Sequence, residues 1–316
     1  MGYLAALEYT LSVTGPVFVI VFVGFYLKRK GHIDNNFVGK ASALVFNICL
    51  PILIFLSMID NNLQLSAQLP LVWFCIGAAT ATFVCFWLLS GLWVPHEDRG
   101  VAVQGAFRSN LGIVGIALCA KAFGGDGLAI GAVILAVVTP VYNVLSVYAL
   151  NRSIHEGRAV PWGKTLNDIA KNPLIIAIAL GFFCAWLDLK LPKVMYDAGQ
   201  YLARMTLPLA LIAIGGSLSL RELQNTSALS SQAVFAKLVL VPVLVGAAAF
   251  LFGFDGIEIG CIILMFASPT AAASFVMVRA MGGNHVLASN IIALSTLMSA
   301  FSISLLLYLA KVLAWI

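Results

Sequence analysis

The sequence predicts an all-α polytopic membrane protein: ten transmembrane helices arranged as two inverted five-helix repeats, with the fourth and ninth helices broken at mid-depth. Three observations predict it. Of 316 residues, 61% are hydrophobic and only 10% are charged, with a mean hydropathy of +1.01; a soluble domain carries roughly 25% charged residues. Ten apolar runs have helix-spanning length. Matching segments also recur half a chain apart. Lys121-Ala122-Phe123-Gly124-Gly125-Asp126 parallels Arg279-Ala280-Met281-Gly282-Gly283-Asn284 at an offset of 158, and Leu50-Pro51-Ile52 parallels Leu207-Pro208-Leu209 at 157. Five spans is an odd number, so the second half enters the membrane from the opposite side, as in many secondary transporters.

In chain order, the first run is Leu7–Leu27, closed by Lys28, Arg29 and Lys30. Val38–Met58 follows, with Asn47 one turn before Pro51, where it can answer the carbonyl that the proline frees. Pro70–Trp93 is the third run. Gly100–Phe123 carries Arg108-Ser109-Asn110-Leu111-Gly112, a charge and glycine inside a membrane-length run, and Leu128–Leu150 carries Asn143. The second half gives Asn172–Leu189, the shortest, then Tyr201–Leu220 with Pro208, and Ala233–Phe254. Ile257–Val278 holds Ser268-Pro269-Thr270, and His285–Leu307 holds Asn290. The domains expected are a first repeat over 1–150, a cytoplasmic connection over 151–171 and an inverted repeat over 172–316.

Orientation follows from the basic residues. With Arg108 set aside, odd-numbered connections hold twelve lysines and arginines, Lys237 counted among them, and even connections with the C-terminus hold five. Basic loops stay in the cytoplasm, so both termini are expected outside. Trp73, Trp93, Trp186 and Trp315 lie near run ends, as interface anchors do. No cleavable signal peptide is expected, because the first run has no basic residue before it. The net charge of +5 reads as topology and not as a nucleic-acid footprint. All six cysteines fall in apolar runs and are expected as buried thiols, not disulfides or metal ligands. Asn151-Arg152-Ser153 and Asn225-Thr226-Ser227 match the glycosylation pattern but fall in connections expected inside.

Arg108 is the one ionisable side chain near the middle of a run in this reading. Placing it there costs about 3 kcal/mol or more on insertion scales, which marks a functional site by default. The repeat pairs Ser109–Gly112 with Ala267–Thr270, where Pro269 breaks the helix. At 1.5 Å per residue Asn110 lies ~17 Å from Arg99 and Pro269 ~20 Å from Gly256, both near the middle of a ~30 Å core. Half-helix N-termini aimed at that level suit an anion, and Arg108 adds a fork geometry matched to a carboxylate. Two readings of Arg108 stand: a ligand or gating group, or a structural arginine that snorkels to the cytoplasmic headgroups or bonds backbone carbonyls. Ser109 and Asn110 are read either as ligands or as inter-helix glue. The candidate binding set is Arg108, Ser109, Asn110, Gly112, Ser268, Pro269, Thr270, Asn47 and Asn143. No Asp, Glu or His lies mid-span, and metalloprotease, hydrolase-elbow and aspartate-rich Mg²⁺ motifs are absent. No catalytic residue, metal or cofactor is expected.

Six segments resemble the auxin efflux carrier family: Asn47–Phe55, Arg108–Gly115, Thr139–Ser146, Lys171–Pro173, Pro208–Leu218 and Ser268–Val278. The similarity covers essentially the whole chain and is nearest to short bacterial members, malonate and malate permeases among them. It implies helices four and nine crossed at the substrate site. It also implies a scaffold of helices 1, 2, 6 and 7, a transport domain of helices 3–5 and 8–10 moving as an elevator, and commonly a homodimer. Plant members have a proline at each crossing, whereas here the fourth helix has Asn110-Leu111-Gly112. The expectation is a multi-pass plasma or inner membrane transporter of a small organic anion, a mono- or dicarboxylate, with the bilayer as surroundings and no nucleic-acid partner. Alternatives are an auxin-like aromatic carboxylate exporter, a Na⁺- or H⁺-coupled symporter, a channel and a non-transporting sensor. A periplasm-active reporter fused after Ile316 is expected to work only outside; activity of a cytoplasmic reporter there reverses the orientation.

Overall fold

The computed structural model describes residues 3–61, 68–154, 171, 173–187, 189, 191–218 and 227–316. Most of the 151–171 connection, with Arg158 and Lys164, lies outside the described residues, as do Asn172, Lys190, Arg221 and the Asn225-Thr226 pair. The described chain is almost wholly helical, with no strand of its own.

Helices occupy all ten apolar runs. They are α1 (Tyr3–Arg29), α2 (Asn35–Leu44), α3 (Leu50–Asn61), α4 (Leu69–Ser90), α5 (His96–Phe107), α6 (Ile116–Ile154) and α7 (Pro173–Trp186). Then come α8 (Lys193–Ser217), α9 (Ala228–Phe235), α10 (Val241–Leu251), α11 (Gly256–Ala267), α12 (Ala273–Ala280) and α13 (His285–Val312). Six stretches among the described residues are long and apolar enough to cross a membrane: Leu4–Arg29, Asn35–Asp60, Leu69–Ser90, Leu111–Ile154, Ala228–Leu251 and His285–Val312. The others fall short for local reasons. α5 and α11 stop at breaks, α7 has 14 residues, and α8 opens on Lys193, Asp197 and Arg204.

Among the described residues three π-helical turns interrupt the regular helices, at Val45–Cys49, Leu111–Gly115 and Ala236–Leu240. The first and third sit two residues before Pro51 and Pro242. A proline removes one N–H and crowds the carbonyl four residues back; widening the preceding turn relieves that crowding. Gly124, at φ 63°, makes the kink that divides α6 and so separates the fourth apolar run from the fifth.

Helices α1, α2, α3, α7 and α8 pack on one another, α1 along α8 and α3 along α7. A second group gathers around α6, α11 and α13 and includes α4, α5, α9, α10 and α12. Trp73, Trp93 and Trp186 are exposed, along with many outward Leu, Phe and Val side chains. Such an apolar exterior would be an aggregation hazard in water and is the surface lipid tails need. Cys49, Cys75, Cys119 and Cys261 are buried as expected, but Cys85 is exposed and Cys184 half-buried, and all six are free thiols. Those two face outward on α4 and α7, where an apolar thiol can meet lipid as readily as protein.

The α1–α8 seam is backbone against backbone. A methyl added at Gly24 would collide with the Ile212 carbonyl, and one at Gly215 with the Val21 carbonyl. Backbone cannot swing aside as a side chain can, so Gly215→Ala is expected to destabilise by ~1–3 kcal/mol. Gly77→Ala, with nothing within 4 Å, is expected to leave thermal unfolding unchanged.

Candidate functional site

The two predicted breaks meet. α5 ends at Phe107, and Arg108 takes an extended conformation (φ −83°, ψ 106°) with no proline to force it. α11 ends at Ala267, and Ser268 is likewise extended (φ −57°, ψ 143°) ahead of Pro269. The extended residues run antiparallel as a one-residue bridge between Ser109 and Thr270. Asn110 N–H donates to the Pro269 carbonyl at 2.7 Å and Ala271 N–H donates to the Arg108 carbonyl at 3.2 Å. Each break thus uses the backbone groups that the other leaves without helical partners.

Side chains lock the bridge. Thr270 donates through Oγ1 to the Gly105 carbonyl at 2.7 Å, and its N–H donates to Ser295 Oγ on α13 at 3.1 Å. Ser268 Oγ returns to the Leu264 carbonyl at 2.8 Å. Ser109 Oγ donates to the Phe266 carbonyl at 3.3 Å and accepts from Tyr142 Oη at 3.5 Å. Ser109, Ser268 and Thr270 are buried with their hydroxyls bound to protein, those of Ser109 and Thr270 across to another helix and that of Ser268 back along its own.

Arg108, 6% exposed, does not snorkel. Its Nη2 donates to Asn143 Oδ1 at 2.7 Å, and its Nη1 lies 3.6 Å from Met277 Sδ on α12. Gln104, one helical turn earlier, gives its Nε2 to the same sulfur at 3.3 Å, while its buried Oε1 has no partner. A guanidinium offers five N–H donors; this one has one full-strength acceptor and a sulfur. The Asn110 amide is half-buried and makes no side-chain hydrogen bond among the described residues. Arg108, Asn110 and Asn143 therefore keep unspent polar capacity beside the bridge. A methyl added at Gly112 would meet Leu50, Leu135 and Leu174 at 3.6–4.0 Å, ordinary contact. Asn47 stands apart: it is exposed, in the π turn between α2 and α3.

The sequence reading missed Lys237 and counted it among cytoplasmic loop charges. It is fully buried in the π turn between α9 and α10, ~14 Å into the helix that opens at Ala228. Its Nζ donates to Ser109 Oγ at 2.5 Å and to the Phe266 carbonyl at 2.7 Å. Arg108 is thus not the only ionisable side chain inside a span. The signal was present: Ala236-Lys237-Leu238-Val239-Leu240-Val241-Pro242 puts a charge five residues before a proline in an apolar run. Starting that run at Ala233 left the lysine near its edge. Tyr142, in a T-shaped contact with Phe107 at 5.3 Å, and Ser295 were missed as well, and nothing in their sequence context sets them apart.

Neither Arg108 nor Lys237 forms an ion pair among the described residues. Two basic side chains lie at one crossing with no carboxylate beside them among the described residues. An apolar cleft of about 680 Å³ between α4 and α10, lined by Trp73, Phe74, Phe86 and Val245, has no ionisable side chain other than the Cys85 thiol in its lining. No group of three or more metal-ligating side chains occurs among the described residues.

A family model described as "Membrane transport protein" matches residues 13–307. A protein of Rhizobium meliloti (strain 1021) named "Putative malonate transporter" is 28% identical over 305 residues, covering 94% of each chain. A Methanothermobacter thermautotrophicus protein named "Uncharacterized transporter" is 24% identical over 312 residues, 96% of this chain and 98% of its own. "Uncharacterized transporter YfdV" of Escherichia coli (strain K12) is 23% identical over 235 residues, 72% and 74%.

A methyl on Gly115 would lie 2.5 Å from the Sδ of fully buried Met265 and 3.2 Å from Ser268 Oγ. Gly115→Ala is therefore expected to lower the melting temperature by several degrees, and Gly112→Ala to stay within about one degree.

Proposed function

The chain belongs to the auxin efflux carrier family of membrane transport proteins, and we propose that it is a secondary carrier of a small organic anion, a mono- or dicarboxylate. The observation that carries this reading is the buried Arg108 guanidinium, which meets one carboxamide oxygen and a thioether and no acid among the described residues. In a low-dielectric interior an uncompensated charge is unfavourable, and a bound carboxylate supplies the missing counter-charge. Arg108 offsets the substrate's charge, and Asn110 and Asn143 hydrogen-bond its oxygens. Arg–carboxylate pairing is charge-assisted and directional, which suits recognition of a planar acid. The relative named for malonate supports a dicarboxylate within the class.

The architecture proposed with this function is ten spans in two inverted five-span repeats, 1–150 and 172–316, joined by the cytoplasmic connection 151–171. Supporting it are the 158-residue offset that maps one break onto the other and the antiparallel pairing of those breaks. Scaffold and transport units correspond to the two packed groups, α1–α3 with α7 and α8 against the remainder. Alternating access is then an elevator-type slide of the second group past the first, in a homodimer seated in the cell membrane with both termini outside.

Counterflow in proteoliposomes with a panel of labelled carboxylates tests the substrate class. Arg108→Ala is expected to cut counterflow at least ~10-fold, since a hydrogen bond to a charged group contributes about 1.5–3 kcal/mol. Arg108→Lys keeps the charge without the fork and is expected to recover part of it. Normal uptake by Arg108→Ala would remove the anchoring role; a conductance without counterflow would mean a channel.

A further inference from the structure

Lys237 does more than add charge to the region. α11 ends at Ala267, and the last carbonyls of a helix lack intrahelical donors and carry a partial negative charge of about half a unit. α5 ends in the same crossing at Phe107, so two helix C-termini converge there. Two of the freed carbonyls are answered by neutral hydroxyls: Leu264 by Ser268 Oγ and Gly105 by Thr270 Oγ1. The Phe266 carbonyl is different. It accepts from the Lys237 ammonium at 2.7 Å as well as from Ser109 Oγ at 3.3 Å. Ser109 Oγ turns its lone pair to the same nitrogen at 2.5 Å. A backbone carbonyl at a half-helix C-terminus and a hydroxyl from the facing break are the donor set with which carriers built on broken helices hold a metal cation.

We propose that Lys237 is a tethered cation filling the place at the crossing where such a carrier would bind Na⁺, so that this chain holds its two breaks together without a sodium ion. The inference rests on the crossing being the transport site. The ammonium is a compact point charge with three donors, and it arrives from a third helix, α9–α10, through a π turn. It therefore ties that helix to both breaks at once, which a free ion does only through added ligands. The chain's own lysine supplies at fixed stoichiometry what solution would otherwise have to supply. Lys237 is in this sense a positioning residue: it orders Ser109 and the end of α11, and it does not hold the substrate.

Thermal unfolding of the purified full-length protein in NaCl or in choline chloride at equal ionic strength tests this. The wild type is expected to melt within about one degree in both salts. Lys237→Met keeps the stem and loses the charge, and is expected to melt several degrees lower in both. Lys237→Ser vacates the place and leaves an oxygen, and is expected to fall in choline and recover part of the loss in NaCl. A wild type stabilised by NaCl over choline by ~3 °C or more would overturn the proposal, and so would Lys237→Met melting like the wild type. Lys237→Ser gaining nothing from NaCl would overturn it too; should that variant fail to fold, the other two arms still decide. Malonate counterflow of the wild type in the same two salts is the companion measurement. Absence of counterflow of malonate and of every other acid in the panel, in both salts, removes the carrier reading alone, because the melting arms read the crossing with no substrate present.

Discussion

Everything at the centre of this protein depends on satisfying backbone groups where water is absent. A broken helix at membrane depth leaves N–H and C=O groups without partners, each costing several kcal/mol in hydrocarbon. The remedy here is reciprocal. Asn110 N–H goes to Pro269 and Ala271 N–H goes to Arg108, so neither break is tenable without the other. That reciprocity explains why a break needs no proline in the first half. Pro269 excludes regular helix on its own side, and the extended Arg108–Asn110 backbone is then held open by what faces it.

Charge is arranged around that bridge with the same economy. Two helix C-termini, two basic side chains and, among the described residues, no carboxylate share a small buried volume. Lys237 is engaged with dipoles of the protein, Phe266 C=O and Ser109 Oγ, whereas Arg108 has only a carboxamide oxygen and a thioether. The two basic side chains therefore divide the labour by how well each is already satisfied: one is bound to carbonyl and hydroxyl oxygens of the crossing, the other keeps donors unused among the described residues.

Much of this was legible in the residues. Hydropathy located every apolar run that the helices occupy, because burial in lipid demands long apolar stretches and little else produces them. The internal offset located the second break from the first, since Gly124 and Gly282 mark equivalent points. Arg108 stood out because a charge in hydrocarbon is expensive. What stayed hidden was contextual. Lys237 sits near the edge of its run only if the helix is started at Ala233; the capping box at Ser227 and Ser230 starts it at Ala228 and carries the lysine inward. Ser109, Ser268 and Thr270 have the composition of ligands, yet their hydroxyls are consumed by carbonyls that only the folded crossing brings near. Asn47 was grouped with the site on its distance from a proline, a local rule blind to which face of the helix looks inward.

The antiparallel bridge also has a mechanical meaning. Two hydrogen bonds running in opposite directions between short extended segments resist sliding along the chain and twisting about it. The joint has no soft axis. Any displacement that separates α5 from α11 must break both bonds at once, in surroundings with no water to replace them. The crossing therefore behaves as a rivet, and the ends of the first and second halves travel as one body. Freedom of movement is left to surfaces that meet through side chains, such as the contact of α1 with α13, where one packing can be exchanged for another without orphaning the backbone.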